Sequence, residues 1–404
     1  MMMSERKASL QSLANLRIAI SHEWLSSWGG SEDVVRAIVE LFPSSHIYAI
    51  IDFLSDLDRS KFRGAPISTS FIQNLPLAEK WFWNYLPLMP MAIERVDLSN
   101  YEVIISSSHA FSKGVLTNAQ QMHVSYVHSP MRYVWDLYFQ YLHDYELERG
   151  IKSILARWIF HKLRLWDRQT SNNVDFFISN SKHVQQRVWR TYRRPSRVIY
   201  PPVKVTEFRF QEPRDDYYLV VSRLVSYKRV RLIMDAFRSM PNRRLVIIGD
   251  GPEYVDLQRQ CPPNVEMLGW QSDLVVQKYM AATQAFIFAA LEDFGISPVE
   301  AQASGAPVIA FGTGGAAETV RCLKKFEHPT GILFDQQSAE SIVEAVTLFE
   351  SSRSSFSSDR CREWAENFSE QSFKNNFEQA LDAAWCLWNQ DKFNAESHWI
   401  QSKN

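Results

Sequence analysis

Short apolar, β-rich runs alternate with amphipathic helical patterns along almost the whole chain. That alternation restricts the fold to parallel sheets covered by helices on both faces. In the first half the patterning predicts strands at Leu16–Ser21, His46–Ile51, Val103–Ser107, Met122–Val127 and Val174–Ser179. In the second half it predicts them at Tyr217–Ser222, Arg244–Gly249, Val265–Leu268, Ala285–Ala289 and Pro307–Phe311. Helical periodicity marks Glu32–Leu41, Arg229–Met240, Ser272–Met280, Pro298–Ser304 and Ser338–Phe349, and a long terminal helix is expected over Ser369–Trp388.

At 404 residues the chain can bury two or three cores. The Pro-containing, polar stretch from Tyr200-Pro201-Pro202 to Arg214-Asp215-Asp216 reads as a boundary, because a fresh apolar strand follows it. The expected organisation is two doubly wound, Rossmann-like α/β domains over residues 15–200 and 201–370, followed by a helical segment over 371–404. Ligands of such sheets bind beyond the carboxyl ends of the strands, and with two sheets the cleft between them is the default site.

Charge excludes one broad class of function. Forty-four Lys and Arg against 45 Asp and Glu leave a net −1, whereas a general nucleic-acid binder would show a basic excess. Cys261, Cys322, Cys361 and Cys386 form no CxxC or Cys/His cluster, so no disulfide framework or zinc site is expected, and a reducing compartment is the natural reading. Residues 1–20 lack the apolar core and cleavage site of a signal peptide, and no run reaches the ~18 apolar residues of a membrane span. The expectation is a cytoplasmic protein. Asp56-Leu-Asp58 resembles a metal-binding pair but has no supporting ligands, so no metal is expected.

Glycine is scarce and unevenly placed. Nine of the 14 glycines lie between Gly249 and Gly331, which points to loops that turn tightly or approach a ligand there. The sharpest segment is Glu292-Asp-Phe-Gly-Ile-Ser-Pro-Val-Glu300, directly after the strand Ala285–Ala289. Backbone N–H groups at Phe294, Gly295 and Ile296 would face an anion, with Glu292 and Glu300 beside it for hydroxyls. A helix start with acidic capping residues explains the same pattern. Arg223 and Lys228 follow another strand, where a diphosphate would be clamped, or where a basic loop is simply solvated. Gly249-Asp-Gly-Pro252 is a fragment of a dinucleotide fingerprint without its third glycine, and Gly312-Thr-Gly314-Gly315 is a phosphate-facing or packing turn.

In the first half, Gly29-Gly30 precede the helix at Glu32 and let a substrate approach the backbone, or simply make a βα turn. His128 ends the strand Met122–Val127, where it can donate a hydrogen bond or shuttle a proton. His109 and Lys113, on the loop after Val103–Ser107, are expected to face the same cleft. Aromatic and basic residues mix in Trp81–Ile93 and in Ile151–Arg168. The second carries Lys152, Arg157, Lys162, Arg164 and Arg168. It is either a helix with a solvated basic face packed by its Trp and Phe residues, or one lying on an anionic membrane surface.

Glu292-x7-Glu300 with its internal Phe-Gly is similar to the signature of family-4 retaining glycosyltransferases, which have the GT-B fold. Gly29-Gly30-Ser-Glu32, His128-Ser-Pro, Tyr200-Pro-Pro, Arg223 with Lys228, Gly249-Asp-Gly-Pro252, Gly269-Trp270, Ala301-Gln-Ala-Ser-Gly305 and Gly314-Gly315 with Glu318 recur in that family's order. Tyr126-Val-His-Ser-Pro-Met-Arg-Tyr133, with Leu163-Arg-Leu-Trp-Asp167, resembles the branch that includes mannosyltransferases of surface-polysaccharide assembly.

The resemblance implies a metal-independent hexosyltransferase that uses a nucleotide-diphosphate sugar, with no cofactor, and a terminal helix that crosses back onto the first domain. It implies that Glu300 bonds the donor ribose, and that Glu292 with the amides of Phe294, Gly295 and Ile296 holds sugar hydroxyls and diphosphate. Arg223 and Lys228 would neutralise the departing diphosphate, and His128 would contact the sugar near the reacting carbon. Gly30 would let acceptor or phosphate sit close, Trp270 would meet the base, and Gly29, His109 and Lys113 are acceptor candidates. The departing phosphate would act as base on the same face. The expected acceptor is a glycan or a lipid-linked glycan. A UDP-hexose such as UDP-glucose is favoured as donor, because no acidic residue in Gly269–Gln271 pairs with guanine. Asp273 lies nearby, and GDP-mannose is the alternative. An epimerase or hydrolase of the same fold and a non-catalytic nucleotide-sugar binder are the other readings.

Overall fold

The computed structural model describes residues 16–401. Of residues 1–20, on which the leader reading rests, 1–15 lie outside this range, as do residues 402–404. The chain forms two compact units, one from the chain up to Tyr200 together with Phe373 onward, the other from Pro201–Ser372.

The first unit contains β1 (Ile18–Ser21), β2 (Trp24–Leu25), β3 (His46–Ala49), β4 (Ile51–Asp52), β5 (Ile67–Thr69), β6 (Val103–Ser108), β7 (Met122–Val127), β8 (Phe176–Ser179) and β9 (Ser196–Val198). Seven of these form one parallel sheet in the order β5-β3-β1-β6-β7-β8-β9, while β2 and β4 pair separately. The single strand expected over His46–Ile51 is therefore two. At the break, the Ile50 amide bonds the Glu23 carbonyl at 2.7 Å instead of continuing the β1 ladder. Alternation along the strands sends Ile18, Ile20, Val103 and Ile105 into one core and Ala19 and Ile104 into another, so both faces are buried.

The helix Gly30–Leu41 covers the first face with Val34, Val35, Ile38 and Val39. The terminal helix Glu370–Gln401 joins it, burying Phe373, Phe377, Ala380, Leu381 and Ala384. That three-to-four-residue spacing is one helical stripe. Each buried phenylalanine contributes roughly 1.5–3 kcal/mol, and Phe373 also lies against Tyr126 of β7, ring centroids 5.8 Å apart. The helix over Gly150–Thr170 covers the opposite face through Phe160 and Leu163.

The second unit holds β10 (Tyr218–Val221), β11 (Leu245–Ile248), β12 (Val265–Gly269), β13 (Ala285–Phe288), β14 (Val308–Phe311) and β15 (Gly331–Phe334). These form a parallel six-stranded sheet in the order β12-β11-β10-β13-β14-β15. Within the two main sheets the patterning missed β5, β9 and β15. The first two are three-residue edge strands with partly exposed side chains, too short to show a period. In both sheets strand order reverses once, at β1/β6 and at β10/β13, and such a switch point opens a crevice at the carboxyl ends of the strands.

No helix among the described residues is long and apolar enough to cross a membrane. Asp56 and Asp58 belong to a short helix, Asp56–Ser60, capped by Ser55, with Asp58 paired to Lys61 at 2.6 Å. Helix capping accounts for that pair of aspartates.

Candidate active site

At the second switch point the chain leaves β10 through Ser222 and Arg223 and makes a 3-10 turn over Ser226–Lys228. The loop is held by its neighbour. The Leu224 amide bonds the Asp250 carbonyl at 2.8 Å. A Cβ at Gly249 would lie 1.8 Å from the Ser222 carbonyl oxygen, and one at Gly251 would lie 2.4 Å from that of Leu224. The fingerprint-like fragment is thus a packing device that fixes the Arg223 loop. Arg223 is exposed, and its guanidinium makes no hydrogen bond or ion pair among the described residues.

Beyond β13, the chain turns through Glu292 and Phe294 to Gly295 (φ 84°), which caps the helix Ile296–Ala303. A positive φ of that size suits glycine. The turn is clamped from behind by Gly314-Gly315. The Gly315 amide donates to the Glu292 carbonyl at 2.8 Å. A Cβ at Gly315 would lie 2.1 Å from the Phe294 oxygen, so this turn serves packing. The phenyl ring of Phe294 is buried against Phe368, leaving only backbone to meet a ligand.

The structure brings together Lys228 and Glu292, Nζ to Oε1 2.5 Å. Gly295 and Ile296 form the helix N-terminus, and the half-buried Glu300 stands one turn along the same helix. An ammonium, an exposed guanidinium and a helix N-terminus at one switch point have the chemistry to meet a dianionic group, and the carboxylates that to meet hydroxyls. Trp270, 74% exposed, follows β12, two strands away from the switch point.

The first unit's switch point is more deeply polar than the sequence suggests. Gly29 precedes and Gly30 heads the helix Gly30–Leu41, and a Cβ at Gly29 would lie 3.2 Å from Glu32 Oε2. Half-buried His128, just past β7, donates or accepts through Nε2 at 2.8 Å from Ser107 Oγ. Ser107 Oγ lies 3.2 Å from His22 Nδ1, and His22 Nε2 lies 3.2 Å from Glu32 Oε1. Burial, reinforced by His109 and His22, pushes the His128 pKa well below its ordinary value. Despite burial, its bond from His22 holds the Glu32 carboxyl below the usual range.

Glu23 accepts from the amides of His109, Ala110, Phe111 and Ser112 at 2.7–3.1 Å. Burial opposes its ionisation, yet His109 and these amides hold its pKa below the usual value. His109 packs edge-on against Trp24, with centroids 4.7 Å apart, and lies 6.3 Å from the His128 ring. Pattern reading passed over His22, Glu23 and Ser107. The available signal was position, since His22-Glu23 directly follow the strand run Leu16–Ser21.

Lys113 requires a correction. It is buried and paired with Asp167, whose other oxygen accepts from Trp135 Nε1 at 2.7 Å and which also bonds the Tyr192 hydroxyl. It ties its loop to the helix Gly150–Thr170 and does not face an acceptor. That helix departs in part from the reading of a solvated basic face packed by its Trp and Phe residues. Arg157 and Arg164 turn inward, to Tyr138 Oη at 3.3 Å and the Val134 carbonyl at 2.9 Å. The apolar Ile151 (85% exposed), Ile154 (70% exposed), Leu155, Trp158 and Leu165 face outward.

Residues 28–207 match the family model for Glycosyltransferase Family 4, and residues 205–371 match that for Glycosyl transferases group 1. The two halves of the chain thus resemble two glycosyltransferase family models, and its two Rossmann-like sheets have the GT-B architecture. The sulfoquinovosyl transferase SQD2 of Arabidopsis thaliana is 29% identical over 134 residues, 33% of this chain and 26% of that protein. The uncharacterized glycosyltransferase MJ1178 of Methanocaldococcus jannaschii is 28% identical over 164 residues, 39% of this chain and 46% of its own. The chain thus spans less than half the length of these curated relatives. The crystal structure of Anabaena HepE in complex with UDP and glucose superposes with a TM-score of 0.68 at 16% identity, covering 91% of this chain and 99% of that one. At that identity the likeness is one of fold.

Proposed function

We propose that the protein transfers a hexose from a nucleotide-diphosphate sugar to a glycan or lipid-linked acceptor in surface-polysaccharide assembly, with retention at the anomeric carbon. The observation that carries this reading is the juxtaposition of Lys228, Glu292 and the helix N-terminus at Gly295 with the exposed Arg223 at one switch point. Glycosyl transfer gathers negative charge on the departing nucleoside diphosphate. Cations and amides already oriented toward it stabilise the transition state more than the ground state. In this reading Arg223 and Lys228 meet the diphosphate in place of a metal ion. Glu292 and the Phe294–Ile296 backbone hold the sugar, Glu300 bonds the ribose, and exposed Trp270 is available to a base. His128 contacts the sugar near the reacting carbon, and Gly30 allows close approach. A UDP-hexose is the favoured donor, supported by the UDP and glucose bound to the structurally similar HepE. GDP-mannose is the alternative.

Titration with UDP, GDP, ADP and their hexose conjugates tests this, read by thermal shift and calorimetry. A donor at ~100 times its Kd should add about 2.7 kcal/mol of stability. UDP binding that is lost in Arg223→Ala and Glu300→Ala supports the assignment, whereas preference for GDP moves it to mannosyl transfer. Turnover without an acceptor indicates a hydrolase. Nucleotide binding without turnover leaves the non-catalytic binder, and indifference to every nucleotide overturns the assignment.

The same reading places the protein on the cytoplasmic side of an anionic membrane. It is supported by the outward stripe Ile151, Ile154, Leu155, Trp158 and Leu165, flanked by exposed Lys152, Lys162 and Arg168. Apolar side chains rimmed by cations suit an anionic lipid surface. The acidic Asp144, Glu146 and Glu148 precede the helix, so attraction would come from the helix itself.

A further inference from the structure

We propose that Glu32, His22 and Ser107 form a positioning relay behind His128 that fixes its hydrogen on Nε2 and presents a bare Nδ1 lone pair. The chain of contacts runs from Glu32 Oε1 to His22 Nε2 (3.2 Å), from His22 Nδ1 to Ser107 Oγ (3.2 Å), and from Ser107 Oγ to His128 Nε2 (2.8 Å). His22, Glu32 and Ser107 are buried, and His128 Nδ1 has no partner among the described residues.

Donor and acceptor counting determines the hydrogens. An ionised carboxylate only accepts, so Glu32 requires a hydrogen on His22 Nε2. A neutral His22 then offers a lone pair at Nδ1, which takes the single hydroxyl hydrogen of Ser107. The serine oxygen is left to accept, and it can do so only from a hydrogen on His128 Nε2. A protonated His22 would still donate to Glu32 from Nε2, but it would reverse the two bonds beyond and leave N–H at His128 Nδ1. The groups facing His22 are Glu32, His109 and His128. A cation there would sit against two further imidazoles, and the neutral arrangement avoids that charge. The consequence is polarity: the outward nitrogen of His128 accepts a hydroxyl hydrogen and does not donate one.

This inference rests on His128 meeting the sugar, and the test separates the two claims. Long-range proton–nitrogen NMR reads the His128 tautomer in the full chain without any substrate. Wild type and His22→Gln, whose amide can accept from Ser107 and donate to Glu32, should both show hydrogen on Nε2. Ser107→Ala should release His128 into a mixture of tautomers, and Ser107→Thr, which keeps the hydroxyl, should restore the wild-type signal. Where the protein turns over donor, Ser107→Ala should lower kcat about tenfold with donor KM nearly unchanged, and Ser107→Thr should recover it. Hydrogen on Nδ1 in the wild type, or an unaltered tautomer in Ser107→Ala, overturns the relay. Unchanged turnover in His128→Ala would instead remove His128 from the reaction and leave the tautomer result standing.

Discussion

The ammonium of Lys228 lies 2.5 Å from the carboxylate of Glu292, joining the loop after β10 to the turn after β13 across two adjacent parallel strands. Neither side chain is fully buried. The contact holds a cation and a carboxylate in place at the point where the strand order reverses, and a diphosphate arriving there would compete with Glu292 for Lys228.

Lys228→Met should therefore do more to turnover than to folding. Removing one oriented charge from a developing anion costs about 10²–10³ in kcat, whereas an ion pair that keeps contact with solvent costs less to break than a fully buried one. Steady-state kinetics beside a denaturation curve checks both. A stability loss with unchanged kcat would make the pair structural.

Gly315→Ala should destabilise the second unit by roughly 1–3 kcal/mol, the usual cost of forcing atoms into a packed site. Its Cβ would collide with the Phe294 backbone, 2.1 Å from the carbonyl oxygen. Nucleotide affinity should fall with it, because the displaced segment carries the helix N-terminus. Chemical denaturation with and without UDP measures the two effects.

Lys113→Met should cost about 3–5 kcal/mol, since it leaves Asp167 charged and buried without its cation. Replacing both partners, as Lys113→Met with Asp167→Leu, should recover only part of this. The Trp135 and Tyr192 donors would then lose their acceptor. Equilibrium urea unfolding of the two variants gives the comparison.

Co-sedimentation with anionic vesicles at low salt should retain the wild-type protein and lose Ile154→Glu/Trp158→Glu. Vesicles of neutral lipid should bind far less, and binding should weaken as salt screens Lys152, Lys162 and Arg168. Equal recovery of wild type and variant would rule out this helix as the contact.

The alternation of apolar runs and helical periods made both parallel sheets legible, because period-two and 3.6-residue patterns are local properties of the chain. Strand ends could be placed to within a few residues, and so could the site candidates standing on them: Arg223, Lys228, Glu292 and His128. The edge strands Ile67–Thr69 and Ser196–Val198 were not legible, since three half-exposed residues carry no period.

What a residue does once the strands are aligned was decided only by the tertiary structure. Lys113 and His109 share one loop, yet one is sealed against Asp167 while the other packs edge-on against Trp24, and nothing within the loop distinguishes them. Gly249 and Gly315 carry the composition of phosphate-binding turns, but each is required because a neighbouring backbone occupies the place of a Cβ. His22 and Glu23 carried no local signal, and with β6 set beside β1 they stand in a buried polar network. The sequence by itself determined the elements and where their ends carry charge. Partnership arose from contacts between residues some 85 positions apart, as with His22 and Ser107, which no local pattern encodes.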